Sequence, residues 1–175
     1  IDGISEVRPV TIVSGYLGAG KTTFLNQLMA TNPDVRYAVI ENEIGQVAID
    51  GFYIERQPEA LIELSNGCIC CSLNDDLYAA LEKLALIRDK FDELIIECTG
   101  IAYPSQVAEM FVFSPLIKSM FPLERIICMV DAELIEDQMI EREEVIRQMT
   151  ESDAIVLNKT QFVRAGYVDE LKAIL

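Results

Sequence analysis

The chain has no histidine, so any metal it holds must be met by thiolate, carboxylate or water rather than imidazole. Long apolar runs are missing too. Hydrophobic residues make up 51% of the sequence, yet no stretch approaches the roughly 20 consecutive apolar residues of a membrane span. The opening residues, "IDGISEVRP", are acidic and lack an apolar core, so they do not read as a secretory signal. A soluble, cytoplasmic protein is expected. Basic residues are scarce, with 14 Lys and Arg against 29 Asp and Glu and a formal charge of −15, which repels nucleic acid and anionic membranes as partners. The five cysteines are an odd number in a chain of ordinary size, so reduced thiols are expected rather than a disulfide framework. There is no repeat, no low-complexity segment and no linker. The 175 residues read as one domain, residues 1–175, long enough to bury a core without staples. Its last residues, "VDELKAIL", make a helical pattern with no glycine or proline stop, as in a piece of a longer protein.

What is present is a regular alternation. Apolar runs rich in β-branched residues stand at 10–14, 37–41, 93–97, 125–130 and 154–158, the pattern of strands buried on both faces. Amphipathic stretches near 21–30, 73–88, 104–113, 140–150 and 166–175 lie between or after them and predict helices. The expected class is α/β: a doubly wound, mainly parallel sheet with helices on both faces.

The first motif is "GYLGAGKTT", which begins directly after the first strand and opens a helix. Glycines at 15, 18 and 20 let the backbone curl until successive N–H groups converge on phosphate oxygens, and the helix N-terminus adds partial positive charge. Gly15, Gly18, Ala19, Gly20, Lys21, Thr22 and Thr23 form the expected phosphate-binding set. Lys21 reaches the β and γ phosphates, and the Thr22 hydroxyl completes a Mg²⁺ shell. A second acidic strand end should lie beside this loop, and "ELIIECTG" supplies Glu97 for the magnesium site, directly or through a metal-bound water. Gly100, three residues on, can offer a backbone N–H to the γ-phosphate because no side chain blocks the approach. In "ENEIGQVAIDG", Glu41, Glu43 and Asp50 follow the second strand and read as part of a switch loop. No glutamine is evidently poised to orient the attacking water, so these three carboxylates are the candidates.

The remaining constellation is "NGCICC", just before the helix expected near Leu73. Thiolates from Cys68, Cys70 and Cys71 suit Zn²⁺, Co²⁺ or another transition ion. The alternatives are redox or inert thiols. Cys98 and Cys128 lie in or beside apolar strands and read as core residues.

In this order, "GYLGAGKTT", "ENEIG", "NGCICC", "ECTG" and "LNKT" resemble the CobW-type P-loop GTPases, relatives of the urease and hydrogenase nickel-insertion GTPases. The resemblance implies a Mg²⁺-dependent GTPase that acts as a metal chaperone or insertase. GTP turnover would regulate metal held at Cys68, Cys70 and Cys71, with Glu43 a candidate fourth ligand, for a client metalloprotein or cobalamin-related enzyme. A homodimer is a further candidate assembly. The resemblance also implies that Asn158 and Lys159 read the base. Two departures stand out: Gln161 replaces the family's guanine-reading aspartate in "LNKTQ", and the usual C-terminal domain is not in the sequence. An amide accepts with one arm and donates with the other, so guanine preference is weakened. The rival readings are a small P-loop kinase, which the few and scattered arginines disfavour, and a non-catalytic zinc-binding or redox-sensing module that merely holds nucleotide.

Overall fold

The computed structural model describes residues 7–42 and 72–175. Five strands, β1 (Val10–Gly15), β2 (Tyr37–Asn42), β3 (Glu93–Cys98), β4 (Leu123–Asp131) and β5 (Ala154–Asn158), form one sheet in the order β2-β3-β1-β4-β5. Every pairing is parallel. The five strands match the apolar runs to within two residues at either end, because strands covered on both faces must be apolar almost throughout.

Seven helices are described: α1 (Lys21–Thr31), α2 (Ser72–Leu86), α3 (Pro104–Phe113), α4 (Pro115–Met120), α5 (Ile135–Glu141), α6 (Glu143–Thr150) and α7 (Tyr167–Ile174). The strand period of two sorts β1 cleanly. Val10 and Ile12 face a core built with α2, α3 and α4, while Val13 faces α1 through Leu25. Helices therefore cover both faces, and α1 and α3 leave the adjacent strands β1 and β3 towards opposite sides. That divergence opens the crevice at the strands' carboxyl ends where ligands of such sheets bind.

The rigidity of this frame comes from its apolar layers. Phe91, Phe111 and Phe121 are fully buried, each stabilising by roughly 1.5–3 kcal/mol. By contrast, the exposed pair Arg36–Asp92, at 2.7 Å, belongs to a class worth about 0–1 kcal/mol. Among the described residues no helix is long and apolar enough to cross a membrane.

Two helices depart from the sequence expectation. The stretch expected as one helix over 140–150 is two, broken at Arg142, whose backbone is extended (φ −134°, ψ 106°). The break lets Ile135 of α5 and Val145 and Met149 of α6 reach the same core beside β4; no glycine or proline marks it. Helix α4 is absent from the expected elements, although its signal was local. Pro115 occupies the first turn, where no amide is needed, and the Ser114 hydroxyl accepts from the Ile117 N–H at 3.4 Å.

Candidate functional site

The loop between β1 and α1 has the shape its glycines require. Gly15, Gly18 and Gly20 all take positive φ, of 139°, 77° and 94°, which side chains rarely adopt. Space forbids a side chain at two of them as well. A Cβ on Gly15 would strike the Met129 carbonyl, and one on Gly20 would strike the Asn158 carboxamide. Helix α1 then begins with no side-chain cap and no acidic residue in its first turn. Its leading N–H groups and positive dipole end remain available for an anion.

Lys21 is buried, and its ammonium donates to the carbonyls of Gly15 (2.8 Å) and Tyr16 (3.4 Å). Burial pushes its pKa below the ordinary 10.5, against the opposing pull of Glu97, Cys98 and Cys128. A desolvated cation whose hydrogen bonds go to neutral carbonyls is suited to phosphate, which would return charge compensation that burial removed. The Thr22 hydroxyl donates to the Glu97 carboxylate, at 3.1 Å to Oε1 and 3.4 Å to Oε2. Sequence places these residues 75 positions apart; the β1–β3 pairing brings them to one point. A threonine hydroxyl with a carboxylate offers the hard oxygen donors Mg²⁺ takes. In the same register Glu41 of β2 stands opposite Glu97. The two carboxylates line a cavity of about 150 Å³ with Thr22, Leu25, Asn26, Met29 and Val39.

On the other flank, the Asn158 side-chain amide donates to the Ala19 carbonyl at 2.9 Å, which ties the end of β5 to the phosphate loop. Lys159 adopts φ 59°, the one non-glycine residue with positive φ among those described. Its ammonium pairs with the buried Asp131 at 2.7 Å. Gln161 is exposed in the short 3-10 turn that follows. Asp131 escaped the sequence reading, yet its signal was the one that found Glu97, an acid closing an apolar strand. Gln148 escaped it too: on α6 it shares the buried face of Val145 and Met149, and a polar residue at that spacing was the clue.

Glu43, Asp50, Cys68, Cys70 and Cys71 lie outside the described residues. Among the described residues no group of three or more Cys, Asp or Glu side chains is placed to hold a metal ion. Cys98 and Cys128 are buried and unbridged, as expected of core residues, and burial pushes both thiols up to about 12. At pH 8 such a thiol is ionised in about 1 molecule in 10,000, against roughly a quarter for a thiol of pKa 8.5. Brief alkylation at pH 8 followed by mass spectrometry should therefore label Cys98 and Cys128 only after unfolding. Rapid labelling of either in the folded chain would contradict this placement.

The glycine cradle, the uncapped helix start and the Lys21–Thr22–Glu97 cluster define a phosphate-loop nucleotide-binding domain. The chain belongs to the CobW/HypB/UreG nucleotide-binding domain family, whose model matches residues 9–175. It is 37% identical over 166 residues to the zinc chaperone YjiA of Escherichia coli, a match covering 93% of this chain and 52% of that protein. It is 34% identical over 169 residues to the zinc-regulated GTPase metalloprotein activator 1 of Schizosaccharomyces pombe, covering 93% of this chain and 41% of that one. The solved structure of Zn(II)-bound YjiA GTPase from E. coli superposes with a TM-score of 0.68 at 34% identity, covering 96% of this chain and 54% of that one. The chain thus spans about half the length of the curated relatives it matches.

Proposed function

We propose that this domain binds and hydrolyses GTP with Mg²⁺ and couples its nucleotide state to Zn²⁺ held by Cys68, Cys70 and Cys71, as the motor of a metal chaperone for a client metalloprotein. The observation that carries the GTPase half is the Thr22–Glu97 hydrogen bond at the mouth of the glycine cradle, beside a buried lysine. Mg²⁺, when bound, would neutralise charge building on the phosphate oxygens. Thr22 and Glu97 would hold it there, and Lys21 and the amides at the start of α1 would hold the phosphates. Glu41, set across the sheet from Glu97, is a candidate to orient the attacking water, with Asp50 and Glu43 beside it in sequence. The zinc half is supported by the names of the relatives and by the soft donors of "CICC". Release of phosphate from GTP, with and without Mg²⁺, tests the reading. A chain that binds GTP but releases no phosphate would be the non-catalytic module instead.

Base choice is tested separately. Asn158 and Lys159 would frame the base, and Gln161 leaves one guanine donor poorly matched. Gln161→Asp should therefore sharpen the preference for GTP over ATP by about 0.5–1.5 kcal/mol, the net worth of one added hydrogen bond at an exposed side chain. Competition binding measures it, and a shift towards ATP would mean that this loop does not hold the base.

A further inference from the structure

Helix α6 grips the turn after β3 at several points. The Gln148 amide donates to the carbonyls of Gly100 (3.1 Å) and Ala102 (3.0 Å). Arg147 lies over the Tyr103 ring, 4.1 Å from its centroid, and Glu151 accepts from the Ser105 N–H at 3.2 Å. Gln148 is fully buried, and chemistry fixes which way its amide points, because the reverse would set its oxygen against two carbonyls. On its other side, Gly100 lies against the phosphate loop: a Cβ there would come within 2.6 Å of the Leu17 nitrogen. Gly100 is thus wedged between the phosphate loop and α6.

This packing leaves two polar atoms at the turn unused. Among the described residues neither Gln148 Oε1 nor Thr99 Oγ1 has a hydrogen-bond partner, although both are buried. Buried polar atoms are nearly always paired. An orphaned acceptor and an orphaned donor flanking residues 99–102 point to a second position of the turn in which each satisfies the other.

We propose that Gln148 is a positioning residue for recognition of the γ-phosphate. It braces the turn against the phosphate loop, and when a triphosphate engages the Gly100 N–H, the Thr99 hydroxyl donates to Gln148 Oε1 and locks the turn to α6. A diphosphate lacks the group that reaches Gly100, so the lock distinguishes the two nucleotides. The proposal rests on the GTPase reading above.

The test uses the full chain with Mg²⁺, GDP and a non-hydrolysable GTP analogue. Gln148→Met removes both polar atoms at nearly constant length, and Thr99→Val removes the hydroxyl at nearly constant shape. Each variant is expected to bind GDP within about twofold of wild type and the analogue about tenfold more weakly. The double variant should be no weaker than Gln148→Met alone, since that change already removes the acceptor that the Thr99 hydroxyl would meet. Thr99→Val should leave the thermal midpoint without nucleotide unchanged or raised, because the hydroxyl it deletes has no partner there. Equal losses for both nucleotides, or undiminished analogue binding by Thr99→Val, would overturn the proposal. A wild-type chain that binds neither nucleotide overturns the GTPase reading and this proposal together; variants that keep the wild-type preference for triphosphate overturn the proposal alone.

Discussion

Lys21→Ala is expected to lower the rate of GTP hydrolysis on the order of 100- to 1,000-fold or more, the usual effect of deleting one group that stabilises transition-state charge. Triphosphate affinity should fall with it by at least about tenfold, since a charge-assisted contact contributes about 1.5–3 kcal/mol. The fold should survive. Wild-type Lys21 is a desolvated cation with a lowered pKa, so its charged form costs stability that alanine does not. The sign follows from linkage. Between its folded pKa and 10.5 the unfolded chain holds the Lys21 proton and the folded chain does not. Wild-type stability therefore rises with pH across that interval relative to the variant, and the penalty is fully present below it. Urea unfolding of both proteins at neutral and alkaline pH reads this difference, and labelled-nucleotide titration with phosphate release reads the functional loss. A variant that binds and hydrolyses normally would make the loop a structural turn.

The second large effect is expected at the cysteines. Zinc held by thiolate-rich sites in small domains is worth about 10–16 kcal/mol. Spread over four ligands, that is roughly 3 kcal/mol each, so Cys70→Ser should weaken Zn²⁺ binding by about two orders of magnitude, and Cys68→Ser and Cys71→Ser likewise. A delivery site must also respond to nucleotide. If Glu43 joins the three thiolates in the GTP-bound state, Zn²⁺ should bind more tightly with a non-hydrolysable GTP analogue than with GDP. By reciprocity, Zn²⁺ should tighten the analogue by the same factor, with about 1–3 kcal/mol typical of such coupling. Competition with a chelating dye in each nucleotide state measures both affinities. Equal values in the two states would leave a purely structural zinc site, whose metal does not answer to hydrolysis.

The strands and the phosphate loop were legible because their causes are local. A parallel strand covered on both faces needs an apolar β-branched run, and a loop that wraps phosphate needs glycine where φ is positive. The sequence therefore determined the α/β class, the five strands to within two residues at either end, the cradle of Gly15, Gly18 and Gly20, and the start of α1 at Lys21. It also marked Cys98 and Cys128 as core. Strand order was beyond it, because β1 pairs with β3 and β4 rather than with its successor β2, and non-consecutive pairing is decided by packing over the whole sheet. The motifs already place Glu97 with Thr22 at the magnesium site, but only the order β2-β3-β1 sets Glu41 opposite Glu97. Tertiary structure alone also broke the expected helix at Arg142, buried Asp131 with Lys159, and brought Gln148 of α6 to the carbonyls of Gly100 and Ala102. Each of these depends on residues far apart in the chain sharing a buried space, which no local pattern encodes.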